Sequence, residues 1–283
     1  MALPALEQVI VGEIGPHTDW GRAVAGADTV VHLAARVHVT GKDAGALPLF
    51  RAVNAEGAAT LARAAREAGV RRLILVSTTT VYGNRSVGRP FDESSPPAPA
   101  TPYAVSKLEA ERLVLDALRG SGTELVILRP PLVYGPGAKG NFGRLARLAR
   151  TRFPLPLASV RNRRSLVYVG NLVDAITLCI DHPAAAGRLY VVSDGADVST
   201  PEIVRGVARA SGQSAWLFPC PPGLLRFAAR LIGRTDEASR VLDDMAVDSS
   251  RIRGELGWTP PFTFDQGLTQ TAAWHRTAMD RAV

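Results

Sequence analysis

The sequence predicts an α/β protein organised on a parallel sheet, and three observations carry that prediction. Short continuous apolar runs, Thr29-Val-Val-His-Leu-Ala-Ala35, Leu73-Ile-Leu-Val76 and Leu125-Val-Ile-Leu-Arg129, read as strands buried on both faces. Long helical segments stand between them, at Asp43–Gly69 and Pro102–Leu118. A cluster of hydroxyls, Ser77, Thr78, Thr79 and Thr80, follows the second run directly. That cluster falls at the carboxyl edge of the sheet, where open α/β sheets place their ligands.

Taken in order, Gln8–Ile14 reads as a strand, Asp19–Gly26 as a short helix and Thr29–Ala35 as a second, buried strand. Asp43–Gly69 carries an apolar stripe of Leu47, Phe50, Val53, Leu61 and Ala65 near helical period, with Gly69 as its stop. The Pro- and Ser-rich segment Asn84–Pro102 is a loop, and Pro102 suits the first turn of the helix that follows. Further along, Gly187–Ser193 is a strand and Ser199-Thr-Pro-Glu202 is a capping-box helix start. Pro219–Gly233 reads as an amphipathic helix stopped by proline, and Ser249–Leu256 and Phe264–Arg276 as closing helices.

Composition limits the reading. A chain of 283 residues suits one large or two intimate domains. Its 46% apolar and 21% charged residues are ordinary for a soluble protein. Cys179 and Cys220 are too few for a disulfide framework and lack metal-ligand spacing, so no metal and a reducing compartment are expected. No secretory leader pattern opens the chain and no apolar run is long enough to span a membrane, so the expectation is a cytoplasmic protein with no membrane partner. The net charge of +7 comes from arginines scattered through every segment without a nucleic-acid motif, so no nucleic-acid partner is expected either.

The chemistry-bearing pair is Tyr103 and Lys107. Four residues apart on a helix, a phenol and an ammonium share one face. A free tyrosine titrates at about 10, and a neighbouring ammonium would favour the phenolate and make Tyr103 a usable general base. A threonine hydroxyl from the preceding strand can then hold the substrate oxygen whose proton moves. The alternative is an unrelated Tyr and Lys on a solvated helix, although the chain has only three lysines.

Ser77-Thr78-x-x-Val81-Tyr82-Gly83 followed by Tyr103-x-x-x-Lys107 resembles the extended short-chain dehydrogenase/reductases, the NAD-dependent nucleotide-sugar epimerase/dehydratase group. The resemblance implies a Rossmann-type sheet with a small discontinuous substrate domain: residues 1–134 with 165–195 for the dinucleotide, 135–164 with 196–283 for the substrate. It makes Thr78, Tyr103 and Lys107 catalytic. It places Glu13, Ile14, Leu33, Ala34, Ala35, Lys107, Pro130 and Pro131 at the cofactor, NAD, with NADP left open. It places Thr79, Asn141, Arg164, Arg240 and Asp243 at the nucleotide sugar, and Asn54 behind the active site as scaffold. Arg164 is the strongest of the substrate candidates, because a planar guanidinium suits bidentate phosphate contact. A homodimer is expected by resemblance.

Two departures from the family pattern matter. Leu132 stands where many sugar epimerases carry Asn. No strand, G-x-x-G-x-x-G turn and helix precede Gln8, so the sheet is expected to be incomplete at its N-terminal side, as in an enzyme shortened at the front, with an unpaired apolar edge on the Thr29 strand. The activity implied is 4-epimerisation of a UDP-hexose or UDP-N-acetylhexosamine. A nucleotide-sugar 4-ketoreductase is the close alternative and a noncatalytic binder the third. A 4,6-dehydratase is disfavoured, because that branch carries Asp-Glu where this chain has Thr79 and Thr80.

Overall fold

The computed structural model describes residues 7–37, 45–138, 142–143 and 153–280, without the side chains of 275–280. The chain folds as two compact units, one formed by residues 1–81, 97–128 and 179–189, the other by 82–96, 129–178 and 190–283.

The first unit holds the parallel sheet. Strand β1 (Thr29–His32) pairs with β2 (Arg72–Val76), and β2 with β3 (Glu124–Arg129), all parallel, with Val31 opposite Ile74 and Ile74 opposite Val126. Strand β6 (Leu189–Val191), of which this unit holds Leu189, gives the order β1-β2-β3-β6. Because strand side chains alternate, Leu73, Leu75, Leu125 and Ile127 face one side. There they bury against Leu61, Ala62 and Ala65 of helix α3 (Gly57–Glu67) and Ala110, Val114 and Leu118 of helix α4 (Pro102–Leu118). Val24 of the short helix α1 (Gly21–Val24) joins this core.

Helix α4 starts where the sequence says it should. Thr101 is extended at φ −131°, its Oγ1 accepts a hydrogen bond from Ala104 N at 3.2 Å, and Pro102 supplies the first-turn residue whose missing N–H costs nothing. The long helix expected over Asp43–Gly69 runs, among described residues, from α2 (Leu47–Phe50) through a π-helical segment, Arg51–Glu56, into α3. Gly69 ends it at φ +69°, a conformation that favours glycine.

One expected element is absent. Gln8–Ile14 forms no strand. Strands exist through their ladders, and an apolar pattern cannot supply a partner. Here the segment bends into a turn instead: Thr18 Oγ1 donates to Glu13 O and accepts from Gly15 N, each at 2.8 Å, while Ile10 is 95% exposed. Among the described residues β1 pairs only with β2.

The second unit carries a three-stranded sheet, β4 (Leu132–Tyr134) parallel to β5 (Arg164–Tyr168) and β5 antiparallel to β7 (Asp197–Val198). Helix α5 (Val169–Asp181) leaves β5 directly. Half-buried Asp194 fixes this corner, accepting from Tyr168 N, Asn171 Nδ2 and Tyr134 OH at 2.9, 2.7 and 3.0 Å. Helix α6 (Thr200–Ala210) opens with the expected capping box between Ser199 and Glu202. Helices α7 (Pro222–Leu231), α8 (Thr235–Leu242), α9 (Ser250–Leu256) and α10 (Phe264–Asp280) follow. Tyr134, Phe142, Leu166, Tyr168, Ile203, Val204 and Leu268 form the core of this unit. No helix among the described residues is long and apolar enough to cross a membrane, and none of the described residues group as a metal-binding His/Cys/Asp/Glu cluster.

Candidate active site

The candidate catalytic residues all belong to the first unit: Thr78 follows β2, Lys107 reaches the end of β2, and Tyr103 lies one turn earlier on α4. Strand β2 ends at Val76, and the chain tightens into a 3₁₀ turn over Thr79–Tyr82. Ser77 is locked by donating to Glu111 on α4. Thr78 Oγ1 lies 3.1 Å from Thr80 Oγ1 and accepts from Thr80 N at 3.2 Å. Thr79 is buried and its Oγ1 has no partner. The polar row predicted after the strand is therefore present, and one of its hydroxyls is unsatisfied.

Lys107 is 2% exposed, and its Nζ donates to Val76 O at 2.8 Å, which ties α4 to the end of β2. Burial drives its ammonium down to about 8, partly offset by Glu111. His32, the last residue of β1, is also buried, and its Nε2 has no partner. Burial, followed by the charge of Lys107, pushes this imidazole down to about 4, so it is neutral at physiological pH. Tyr103 packs edge-on against Phe50, with ring centroids 6.2 Å apart. Its phenol is pushed up to about 12 by burial alone.

That direction corrects one expectation. The sequence argument has the Lys107 charge lowering Tyr103, whereas within the protein burial raises the phenol and the ammonium acts on His32 and Val76 O instead. A buried group pays its own desolvation first, and sequence spacing does not report it.

Asn54, expected as scaffold, has its side chain fully engaged. Its Oδ1 accepts from Arg36 N at 2.7 Å, and its Nδ2 donates to Arg36 O and Ser106 Oγ, each at 3.0 Å. The π-helical segment thus pins the loop after β1 to the residue beside Lys107. Glu13 is exposed and Ile14 half-buried. Leu33 is 64% exposed, with Ala34 and Ala35 half-buried beside it. The residues fit a dinucleotide. Small and apolar side chains follow β1, Lys107 keeps two N–H donors beyond the one given to Val76, and the His32 Nε2 and Thr79 Oγ1 await partners.

Apart from Thr79, the described substrate candidates lie in the second unit. Arg164 Nη1 donates to Asp243 O at 3.3 Å, and its guanidinium is held below the usual arginine range by burial. The Asp243 carboxylate is taken by Arg226 at 2.5 Å and lies within the field of Arg85, which hold it below the usual carboxylate range despite burial. The structure therefore brings Arg164 and Asp243 together, and adds Arg226 and Arg85, which no motif flagged. Arg240 is exposed on the last turn of α8. Pro130 and Pro131 are buried between β3 and β4. Asn141 lies outside the described residues.

Comparison with known proteins bears on the family and the fold. The family model described as NAD dependent epimerase/dehydratase family matches residues 3–193. A UDP-glucose 4-epimerase from Vibrio cholerae is 43% identical over 265 residues, covering 93% of this chain and 81% of that protein. An N-acetyl-α-D-glucosaminyl-diphospho-ditrans,octacis-undecaprenol 4-epimerase from Escherichia coli is 28% identical, covering 92% of this chain and 81% of that protein. Among solved structures, DesIV, a dTDP-glucose 4,6-dehydratase from Streptomyces venezuelae with NAD and TYD bound, superposes with a TM-score of 0.72 at 26% identity. That match covers 92% of this chain and 77% of DesIV.

Proposed function

The chain belongs to the NAD dependent epimerase/dehydratase family, and on that premise we propose that it is a nucleotide-sugar 4-epimerase acting on a UDP-hexose or UDP-N-acetylhexosamine. The observation that carries this reading is the turn after β2, where Thr78, Thr79 and Thr80 present hydroxyls and no carboxylate. Elimination of water needs an acid and a base at this turn, as the dehydratase branch has. Beyond the hydride acceptor that NAD would supply, epimerisation needs from the side chains only a proton acceptor and a hydrogen bond to one oxygen.

Tyr103, as its phenolate, would accept the proton of the C4 hydroxyl and return it, which requires bound cofactor and substrate to offset the burial that raises the free phenol. Thr78 Oγ1 hydrogen-bonds the C4 oxygen through the alcohol and ketone states. Lys107 would hold the nicotinamide ribose with the donors not used by Val76 O. The chemistry supplied by NAD when bound is acceptance and return of the C4 hydride. Leu33, Ala34 and Ala35, with Glu13 and Ile14, would hold its adenosine side, and Pro130 and Pro131 its nicotinamide. Arg164 would grip the sugar-nucleotide diphosphate, with Asp243 fixing its neighbourhood and Arg240 at the rim.

Leu132 in place of the epimerase Asn favours a second reading, an NAD(P)H-dependent nucleotide-sugar 4-ketoreductase. Incubation with UDP-glucose and with UDP-N-acetylglucosamine, and separately with a nucleotide 4-keto sugar and NAD(P)H, followed by NMR of the sugar anomeric region and by absorbance of reduced nicotinamide, separates the two. The C4 epimer with no net change in nicotinamide supports the epimerase. A 4-keto sugar reduced with stoichiometric loss of NAD(P)H supports the reductase and removes the epimerase.

A further inference from the structure

We propose that helix α7 (Pro222–Leu231) is a docking face for an anionic lipid surface, on which the protein rests without crossing it. An ordinary surface helix turns its apolar stripe inward. In α7, Leu225 packs toward the core of the second unit and Ala229 is half-buried on the same side. Leu224, Phe227 and Leu231, at helical spacings of three and four, point outward and are 57%, 59% and 71% exposed. Ile232, just past the helix, is 68% exposed. No side chain of α7 is fully buried. The helix therefore spends its larger apolar residues on solvent, which isolated surface hydrophobics do not explain.

Charge selects the occupant. Arg226 and Arg230, four residues apart, flank the apolar stripe, and Arg234 follows the helix. From Gln213 to Thr235 the chain carries these three arginines and neither Asp nor Glu. Arg226 is half-exposed and bonded to Asp243, whereas Arg230 and Arg234 have no ion pair among the described residues. An apolar stripe rimmed by arginine is the pattern of a helix lying in the headgroup layer, and each basic residue gains there from anionic lipid. The net charge of +7 acts in the same direction. A second copy fits less well: an isologous contact would set these three arginines against their own images. Ten residues are half of what a membrane-spanning helix requires, about 20, so the mode is resting and not insertion.

The test is co-sedimentation of the whole protein with vesicles of phosphatidylcholine alone and of phosphatidylcholine with about 30 mol% phosphatidylglycerol, at low and high salt. The proposal predicts partition onto the anionic vesicles about tenfold or more above the neutral ones, weakening as salt rises. Joint replacement Leu224→Ser, Phe227→Ser and Leu231→Ser removes binding at an unchanged melting temperature. Arg230→Ala with Arg234→Ala removes the preference for anionic lipid. Absence of wild-type partition overturns the proposal, and so does partition that the serine variant retains. A third overturning outcome is a wild-type dimer that the serine variant splits, with no vesicle binding; light scattering on the same samples reports it.

Discussion

Replacing Lys107 with methionine should make the protein more stable at neutral pH while removing its activity. The side chain is 2% exposed, and its titration is driven by burial from the ordinary 10.5 down to about 8. At pH 7 the folded protein therefore holds an ammonium that would rather be in water, a destabilisation on the order of 3 kcal/mol. Methionine keeps the unbranched stem and removes the charge. It also removes the 2.8 Å bond to Val76 O, worth about 1–2 kcal/mol. The net expectation at pH 7 is a variant about 1–2 kcal/mol more stable than the wild type.

The sign is checked by pH. A lysine whose folded value is depressed binds fewer protons folded than unfolded between about 8 and 10.5, so the wild type gains stability as pH rises through that window. Below about 8 the penalty is fully present. The difference between variant and wild type should shrink from pH 8 upward and reverse by about pH 10. Titration of Tyr103 is common to both proteins and largely cancels. Urea unfolding followed by tryptophan fluorescence at several pH values reads this directly. A methionine variant that is less stable at pH 7, or a difference that does not change with pH, would show that the ammonium is not buried as described.

Tyr103→Phe removes a phenol pushed up to about 12 by burial and should lower kcat by about 10²–10⁴ with the melting temperature unchanged or raised, measured by steady-state epimerisation beside calorimetry. Arg72→Met should destabilise by about 3–5 kcal/mol in urea unfolding. The Arg72 guanidinium, 2% exposed, binds Glu124 at 2.6 Å and caps the end of α5 through Cys179 O and Ile180 O at 2.7 and 2.9 Å, and His182 O beyond it at 3.0 Å. Arg164→Lys keeps the charge and loses the planar fork, so KM for the nucleotide sugar should rise about tenfold or more with kcat little changed.

The readable parts of the chain were those written in local chemistry. Thr101 and Pro102 mark the start of α4 by the same capping logic that a peptide would obey, and Ser199 with Glu202 marks α6. The buried strands β2 and β3 announce themselves as unbroken apolar runs. What escaped depends on partners far along the chain. Gln8–Ile14 has strand-like composition, yet no ladder receives it. The π-helical segment Arg51–Glu56 is a slip of the hydrogen-bond ladder that composition does not encode, although the bonds Asn54 makes to Arg36 and Ser106 explain its value. Arg226 binds Asp243, and Arg85 comes within its field, only once the chain has folded back, across 17 and 158 positions of sequence. The inverted phenol titration has the same origin, since burial is a property of the whole fold.

The most direct test of the central claim, that Thr78, Tyr103 and Lys107 serve a reversible oxidation at C4, uses C4-deuterated UDP-glucose and UDP-N-acetylglucosamine. The account predicts a C4 epimer that still carries deuterium at C4, formed without net change in nicotinamide and lost in Tyr103→Phe. A 4-keto-6-deoxy sugar formed with loss of water, release of a 4-keto sugar with net reduction of nicotinamide, or no turnover of either substrate would contradict it.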